Sequence, residues 1–214
     1  TQVGSAGSTS ASRQTWMSGG AVQVACQAAL AQLFDHVATK FGMTRSELEI
    51  DGTDIVDRLT QRRVSVGDAI SEIEIDCTEE YHHPPTEDLD ENGQGNCHVA
   101  YAFVAHRAVV DVDPDLGLIK VVQIATAQDV GRVLNPLAAM GQIEGGIAQG
   151  LGLAVMEEII VKDGKVRNPS FTDYLLPTFL DAPTVEMVFI EEHEPKSPLG
   201  AKGIGEPPCI SVTP

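Results

Sequence analysis

The segment Gly200-Ala201-Lys202-Gly203-Ile204-Gly205-Glu206-Pro207-Pro208 carries the sharpest chemical signal in the sequence. Its glycines let a backbone approach another group closely, and its two prolines stiffen the chain after them. One carboxylate, Glu206, stands between the flexible and the rigid chain, where a loop could present a single acid or base to a pocket. By composition alone the same segment also reads as a rigid surface turn. A second candidate lies near the start. Residues 1–15 are rich in Gly, Ser and Thr and read first as a linker. Yet Ala11-Ser12-Arg13-Gln14-Thr15 runs straight into a helical pattern, and amide and hydroxyl donors at a helix start can hold an anion.

Other combinations read as ordinary structure. Asp88-Leu-Asp90-Glu-Asn92-Gly93 opens like a calcium loop, but Val99 stands where the bidentate Glu belongs, so a polar loop is expected. Asp111, Asp113 and Asp115 fit turn chemistry. Adjacent His82 and His83 point opposite ways on an extended segment and have no evident third ligand. No protein-side metal ligand set is expected.

Periodicity predicts the elements that must position these residues. A helix is expected from about Ser18 to Thr39, with Ser18 as N-cap and Val22, Cys26, Ala29, Leu33 and Val37 as a buried stripe. Short strands are expected at Leu48–Ile50 and, from alternation, at Ile70–Cys77. A hairpin comes next: Val99–Val112, a turn at Asp113-Pro114-Asp115-Leu116-Gly117, and a return strand Leu118–Ala125. A second helix is expected from about Pro136 to Ile160. Its five glycines (141, 145, 146, 150, 152) each cost about 1 kcal/mol relative to Ala and therefore need a close neighbour or ligand. A turn at Lys162-Asp163-Gly164-Lys165 and a strand at Val185–Ile190 complete the pattern. Helices and strands do not alternate regularly, so the fold class is α+β, two long helices packed with antiparallel sheets. The chain reads as one domain segment over 1–214, with possible subdomains 1–70 and 71–214.

Composition limits the partners. With 14 Lys+Arg against 31 Asp+Glu the formal charge is −17, which disfavours nucleic acid and anionic membrane surfaces. Nine acids and no Lys or Arg lie between Glu72 and Glu91, which reads as a solvated face. No apolar run approaches the roughly 18 residues of a membrane span. The N-terminus has neither the basic region nor the apolar core of a signal peptide. Cys26, Cys77, Cys97 and Cys209 form no CxxC pair, so four reduced thiols and a cytoplasmic location are expected.

Taken together, five blocks resemble the molybdenum hydroxylases: xanthine dehydrogenase, aldehyde oxidase and aerobic carbon monoxide dehydrogenase. Gly200–Pro208 resembles their active-site glutamate loop. Ala11–Thr15 with Ser18-Gly19-Gly20-Ala21-Val22 resembles their pterin-cofactor loop. Asp129–Pro136 and then Gly141-Gln142-Ile143-Glu144-Gly145-Gly146 and Gln149–Gly152 resemble their glycine-rich helix, and Asn168–Pro183 also matches. The blocks lie in the same order and span residues 11–208. Around Tyr81–Pro85 and Ala125–Asp129 the sequence is most similar to the molybdenum-binding subunit of bacterial xanthine dehydrogenases, their D chain type.

The resemblance implies molybdenum on a molybdopterin-type dithiolene, with oxo, sulfido and hydroxide ligands. It implies Glu206 as the general base for attack of the hydroxide oxygen, derived from water, on an electron-poor carbon, with hydride passing to sulfido. It places Gln142 beside the metal centre, Ala11, Ser12, Arg13, Gln14 and Thr15 on the cofactor's pterin and phosphate, and Gly205 among the cofactor-binding residues. Hypoxanthine or xanthine, oxidised to urate, is the implied substrate; aldehydes, other heterocycles, carbon monoxide or an inactive cofactor-binding fragment are the alternatives. Iron–sulfur clusters and FAD are expected on partner subunits. Family subunits are several times longer, and their Phe-Gly-Gly-Arg and Gly-Gln-Gly loops are not found here. The chain is therefore expected to be a C-terminal piece that stops before the helix after Glu206, lacks activity alone and exposes apolar surface.

Overall fold

In a computed structural model that describes residues 7–9 and 12–212, Leu33 and Val37 anchor the first core. Both lie late in α1 (Arg13–Phe41). They meet Leu48 of β1 (Leu48–Asp51), Ile55 of β2 (Asp54–Asp57) and Ala69 of α2 (Val66–Ile70), while β3 (Arg63–Ser65) completes an antiparallel sheet of order β1-β2-β3. These residues belong to a compact unit, Met17–His82. A second unit comprises the chain up to Trp16 together with everything from His83 onward.

Three expectations fail along α1 and the chain that follows it to Cys77. The helix begins at Arg13, so Ser18 lies inside it and is no N-cap. Residue type alone favours Ser18 as a cap, but nothing between Arg13 and Met17 breaks a helix. The expected stripe is buried only at its end, and Val22 and Cys26 are exposed. Ile70–Cys77 is not a strand. Ser65 caps α2 by accepting a hydrogen bond from the Asp68 N–H, α2 ends at Ile70, and the chain then runs irregularly. Its alternation is real but serves packing: Ile73 and Ile75 lie against the α1 core without a ladder partner.

The second unit is built on the expected hairpin. β4 (Val104–Asp113) and β5 (Leu118–Asp129) pair in register from Val104–Gln128 to Asp113–Leu118, with a bulge at Val109/Val110. The Asp113 carboxylate accepts from the Asp115 and Leu116 N–H groups and Gly117 takes φ +67°, so turn chemistry accounts for this cluster. α3 (Pro136–Val155) starts where Asn135 accepts from the Ala138 N–H and Pro136 supplies the first helical φ. It ends five residues before the expected Ile160 because Asn168 takes over: its side chain accepts from Ile160 N–H and donates to Glu158 O. That holds residues 158–160 extended into the small hairpin β6 (Val161–Lys162) and β7 (Lys165–Val166). β8 (Thr184–Ile190) then joins β5 in parallel, giving a mixed sheet of order β4-β5-β8. A helical turn, α4 (Pro207–Ile210), comes directly after Glu206. Ile124, Val130, Ile143 and Ile147 form the core between sheet and α3, with Ile204 and Val212 packed on its edge. Among the described residues no helix is long and apolar enough to cross a membrane.

Candidate functional site

Within this second unit the end of β5, the start of α3, the Gly200–Glu206 loop and residues 12–15 converge on one cavity of about 390 Å³. Ser12, Gln14, Thr15, Gln142 and Gly205 all line it. An adjoining cavity of about 330 Å³ is lined by Glu206, Gly203, Val104 and Ile210, and Ser12 and Ile204 border both. The Ser12 hydroxyl accepts from the Ile204 N–H at 2.9 Å, tying residues 192 positions apart. Gln142 faces the loop closely enough that a Cβ on Gly205 would lie 3.5 Å from its Oε1. Arg13 is not on the cavity wall; its guanidinium donates to Ser8 O at 3.2 Å. Ala11 lies outside the described residues. Glu206 is exposed, so the enclosed pocket expected around it is not formed by the described residues alone.

The loop is held to the β5–α3 connection by its backbone and by one buried ion pair. Arg132 N–H donates to Gly200 O at 2.7 Å, and Lys202 N–H donates to Val130 O at 2.9 Å. Gly131, at φ +62°, leaves no room for a Cβ against Gly200 O. The Lys202 ammonium meets Asp129 Oδ2 at 2.7 Å, with side chains only 7% and 9% exposed, and Asp129 Oδ1 accepts from the Gly131 N–H. Downstream of Glu206, α4 packs on α3 at two glycines. A Cβ on Gly146 would lie 2.7 Å from Pro208 Cγ, and one on Gly150 would lie 2.5 Å from Cys209 O. Gly152 meets Pro177, whereas Gly141 and Gly145 face open space. Close approach thus explains three of the five helix glycines. Burial pushes the Cys209 thiol up, and the carboxylates of Glu157 and Glu206 push the same way. Burial also holds the His106 imidazole below its ordinary range, against the opposing pull of the Pro208 carbonyl.

Sequence reasoning missed four residues here: Asp129, Lys202, Arg132 and Asn135. Lys202 had a legible signal, since no other Lys or Arg stands between residues 197 and 214. Arg132 and Asn135 line the larger cavity, and Arg132 has no carboxylate partner among the described residues. The donor set is therefore two hydroxyls, three carboxamides and one uncommitted guanidinium. It suits a polar ligand with acceptor atoms and negative charge, such as a pterin phosphate. Among the described residues no three His, Cys, Asp or Glu side chains converge as a metal site. The hydroxyl, carboxamide and guanidinium donors lining the cavity fit a metal carried on such a ligand, as a dithiolene-borne ion is.

Known proteins resemble this chain in sequence and in fold. Residues 1–183 match the family described as "Molybdopterin cofactor-binding domain". A probable xanthine dehydrogenase chain of Bacillus subtilis (strain 168), of the D type, is 32% identical over 215 residues, covering 100% of this chain and 28% of that protein. The xanthine dehydrogenase molybdenum-binding subunit of Escherichia coli O157:H7 is 47% identical over 107 residues, 48% of this chain and 14% of its own length. Among solved structures, the Cu,Mo-CO dehydrogenase in its carbon monoxide reduced state superposes with a TM-score of 0.78 at 25% identity, over 94% of this chain and 25% of that one. The chain thus amounts to about a quarter of the length of these relatives.

Proposed function

From the premise that the chain belongs to the molybdopterin cofactor-binding family of molybdenum hydroxylases, we propose that it forms the catalytic floor of an enzyme hydroxylating an N-heterocycle. Hypoxanthine or xanthine is the proposed substrate, and urate the product. The observation that carries this reading is the convergence of Ser12, Gln14, Thr15, Gln142 and Gly205 on one cavity, with Glu206 on the cavity adjoining it. The proposed assembly is a cytoplasmic complex containing the rest of this subunit and iron–sulfur and FAD subunits.

The cofactor, when bound, supplies the oxygen transfer and takes the electrons from the substrate. The chain supplies position and proton handling. Ser12, Gln14 and Thr15 offer donors to the pterin and phosphate end, with Arg132 adding the positive charge that a phosphate attracts. Gln142 Oε1 and its amide group face Gly205 and can orient a ligand atom between α3 and the loop. Gly205, lacking a side chain, keeps that space open. Glu206 is the general base: its carboxylate accepts the proton that must leave when water-derived oxygen attacks the ring carbon. Its exposed position in this chain is closed by the remainder of the subunit.

The test is made on the complete enzyme that contains this chain, by xanthine-dependent dye reduction with Glu206 intact and as Glu206→Gln. A general base contributes about 10²–10⁴-fold, so the variant should lose turnover by at least that range while retaining its molybdenum. Undiminished turnover in the Gln variant would remove Glu206 from this role. Full metal with no xanthine activity in either protein would move the substrate to aldehydes or other heterocycles.

A further inference from the structure

We propose that the buried Lys202–Asp129 pair is a positioning clamp that fixes the Glu206 loop against the end of β5, so that Glu206 stays aligned with the larger cavity; this rests on Glu206 as the base. Gly200, Gly203 and Gly205 give this loop backbone freedom at three of the six positions before Glu206. A base on such a chain loses alignment unless the loop is tied, because small displacements of a catalytic group cost rate steeply. Downstream, α4 seats Glu206 on α3; upstream, the ties run to the end of β5 and the residues just after it. The Lys202 N–H and ammonium bind Val130 O and Asp129 Oδ2 respectively, so one residue uses both its main chain and its side chain on the same partner segment. Asp129 commits its second oxygen to the Gly131 N–H, which orients the carboxylate toward Lys202. The Ser12–Ile204 hydrogen bond then carries the clamped loop to the segment that lines the cavity.

The location of the charge also separates this role from ligand binding. Lys202 borders the larger cavity, yet its ammonium is 2.7 Å from Asp129 and its side chain is 7% exposed. It is an internal cation, and Arg132 is the one left facing a ligand. Ordinary packing could have filled this place with apolar groups; a charged pair adds a direction as well as a contact.

The experiment uses the complete enzyme with Lys202→Met, Lys202→Arg and the double variant Asp129→Asn/Lys202→Met, and Glu206→Gln as control. The single Met variant leaves a buried carboxylate without its cation and can misfold. The double variant removes both charges while the carboxamide at position 129 still accepts from the Gly131 N–H, so its fold is kept. Three readouts are taken: kcat and KM, molybdenum content, and amide hydrogen exchange of the peptide covering residues 200–206. In the double variant kcat should fall at least tenfold with KM within threefold, molybdenum retained, and exchange in 200–206 at least tenfold faster. Lys202→Arg should recover most of kcat. Unchanged exchange in the double variant overturns the clamp, and so does faster exchange with unchanged kcat. Should Glu206→Gln itself turn over normally, the base reading fails, and the exchange rates alone decide whether the clamp exists.

Discussion

Gly146 and Gly150 are glycine for reasons of contact, and Gly141 and Gly145 in the same helix are not. A Cβ at Gly146 would meet Pro208 Cγ at 2.7 Å and Gly205 O at 2.9 Å; one at Gly150 would meet Cys209 O at 2.5 Å. These are backbone and ring atoms that cannot turn aside. Gly146→Ala and Gly150→Ala should therefore each destabilise by about 1–3 kcal/mol, the usual range for overpacking, despite the better helix propensity of Ala. Gly141 and Gly145 have nothing within 4 Å. Alanine there should stabilise the 214-residue chain by up to about 1 kcal/mol. Denaturant melts of the four variants check the contrast. If the Gly141 or Gly145 gain is lost in the complete enzyme, that part of α3 is covered by a group this chain does not supply. The GxxxG spacing at 146–150 is thus a seat for α4, and through α4 for Glu206.

At the scale of elements, β4 and α4 meet through His106 and Pro208, and the protonation of this histidine should register in stability. Burial lowers its affinity for a proton in the folded chain from the ordinary 6.5. As pH falls below about 6.5 the unfolded chain therefore takes up this proton first, and the fold loses stability from there down to the lower folded value, after which the loss levels off. Melting temperatures between pH 7.5 and 5.5 should fall for the native chain and fall less for His106→Asn; equal slopes would exclude His106 as the cause. The same elements show what periodicity can reveal. The β4–β5 hairpin and the 162–165 turn are readable, because alternation and turn residues act locally. Ile70–Cys77 misleads, because alternation reports burial and not hydrogen-bond partners, and no ladder partner is offered to Ile73 and Ile75. The parallel entry of β8 beside β5 depends on a crossover that no local pattern encodes. In the site, Ser12, Gln142 and Gly205 are picked out by the resemblance of their sequence blocks to the molybdenum hydroxylases. The Asp129–Lys202 pair is not, since its members stand 73 residues apart and become partners only when the loop lies on the strand end.

At the scale of the whole molecule, apolar exposure and chain length point the same way. Phe171, Phe179 and Leu180 are 92%, 94% and 83% exposed, and Leu137 at the start of α3 is 80% exposed. Single exposed leucines are ordinary, but large aromatic and aliphatic groups exposed to this degree along one segment, 171–180, signal surface that a partner covers. The relatives are about three and a half times the length of this chain, so they contain polypeptide that could do so. The formal charge of −17 keeps such a surface from driving aggregation, because like-charged chains repel. The isolated chain should therefore stay dispersed at low salt and still bind an apolar dye. A neutral dye such as Nile red is the right probe, since an anionic one would be repelled by the same charge. Strong fluorescence with the isolated chain, falling several-fold per mole of chain in the complete enzyme, is the expected result, and Phe171→Ser/Phe179→Ser should reduce it. A cooperative melt with no dye bound would mean that residues 171–180 fold back on the chain in solution, and the apolar surface would then be internal to this segment and not a seat for the rest of the subunit.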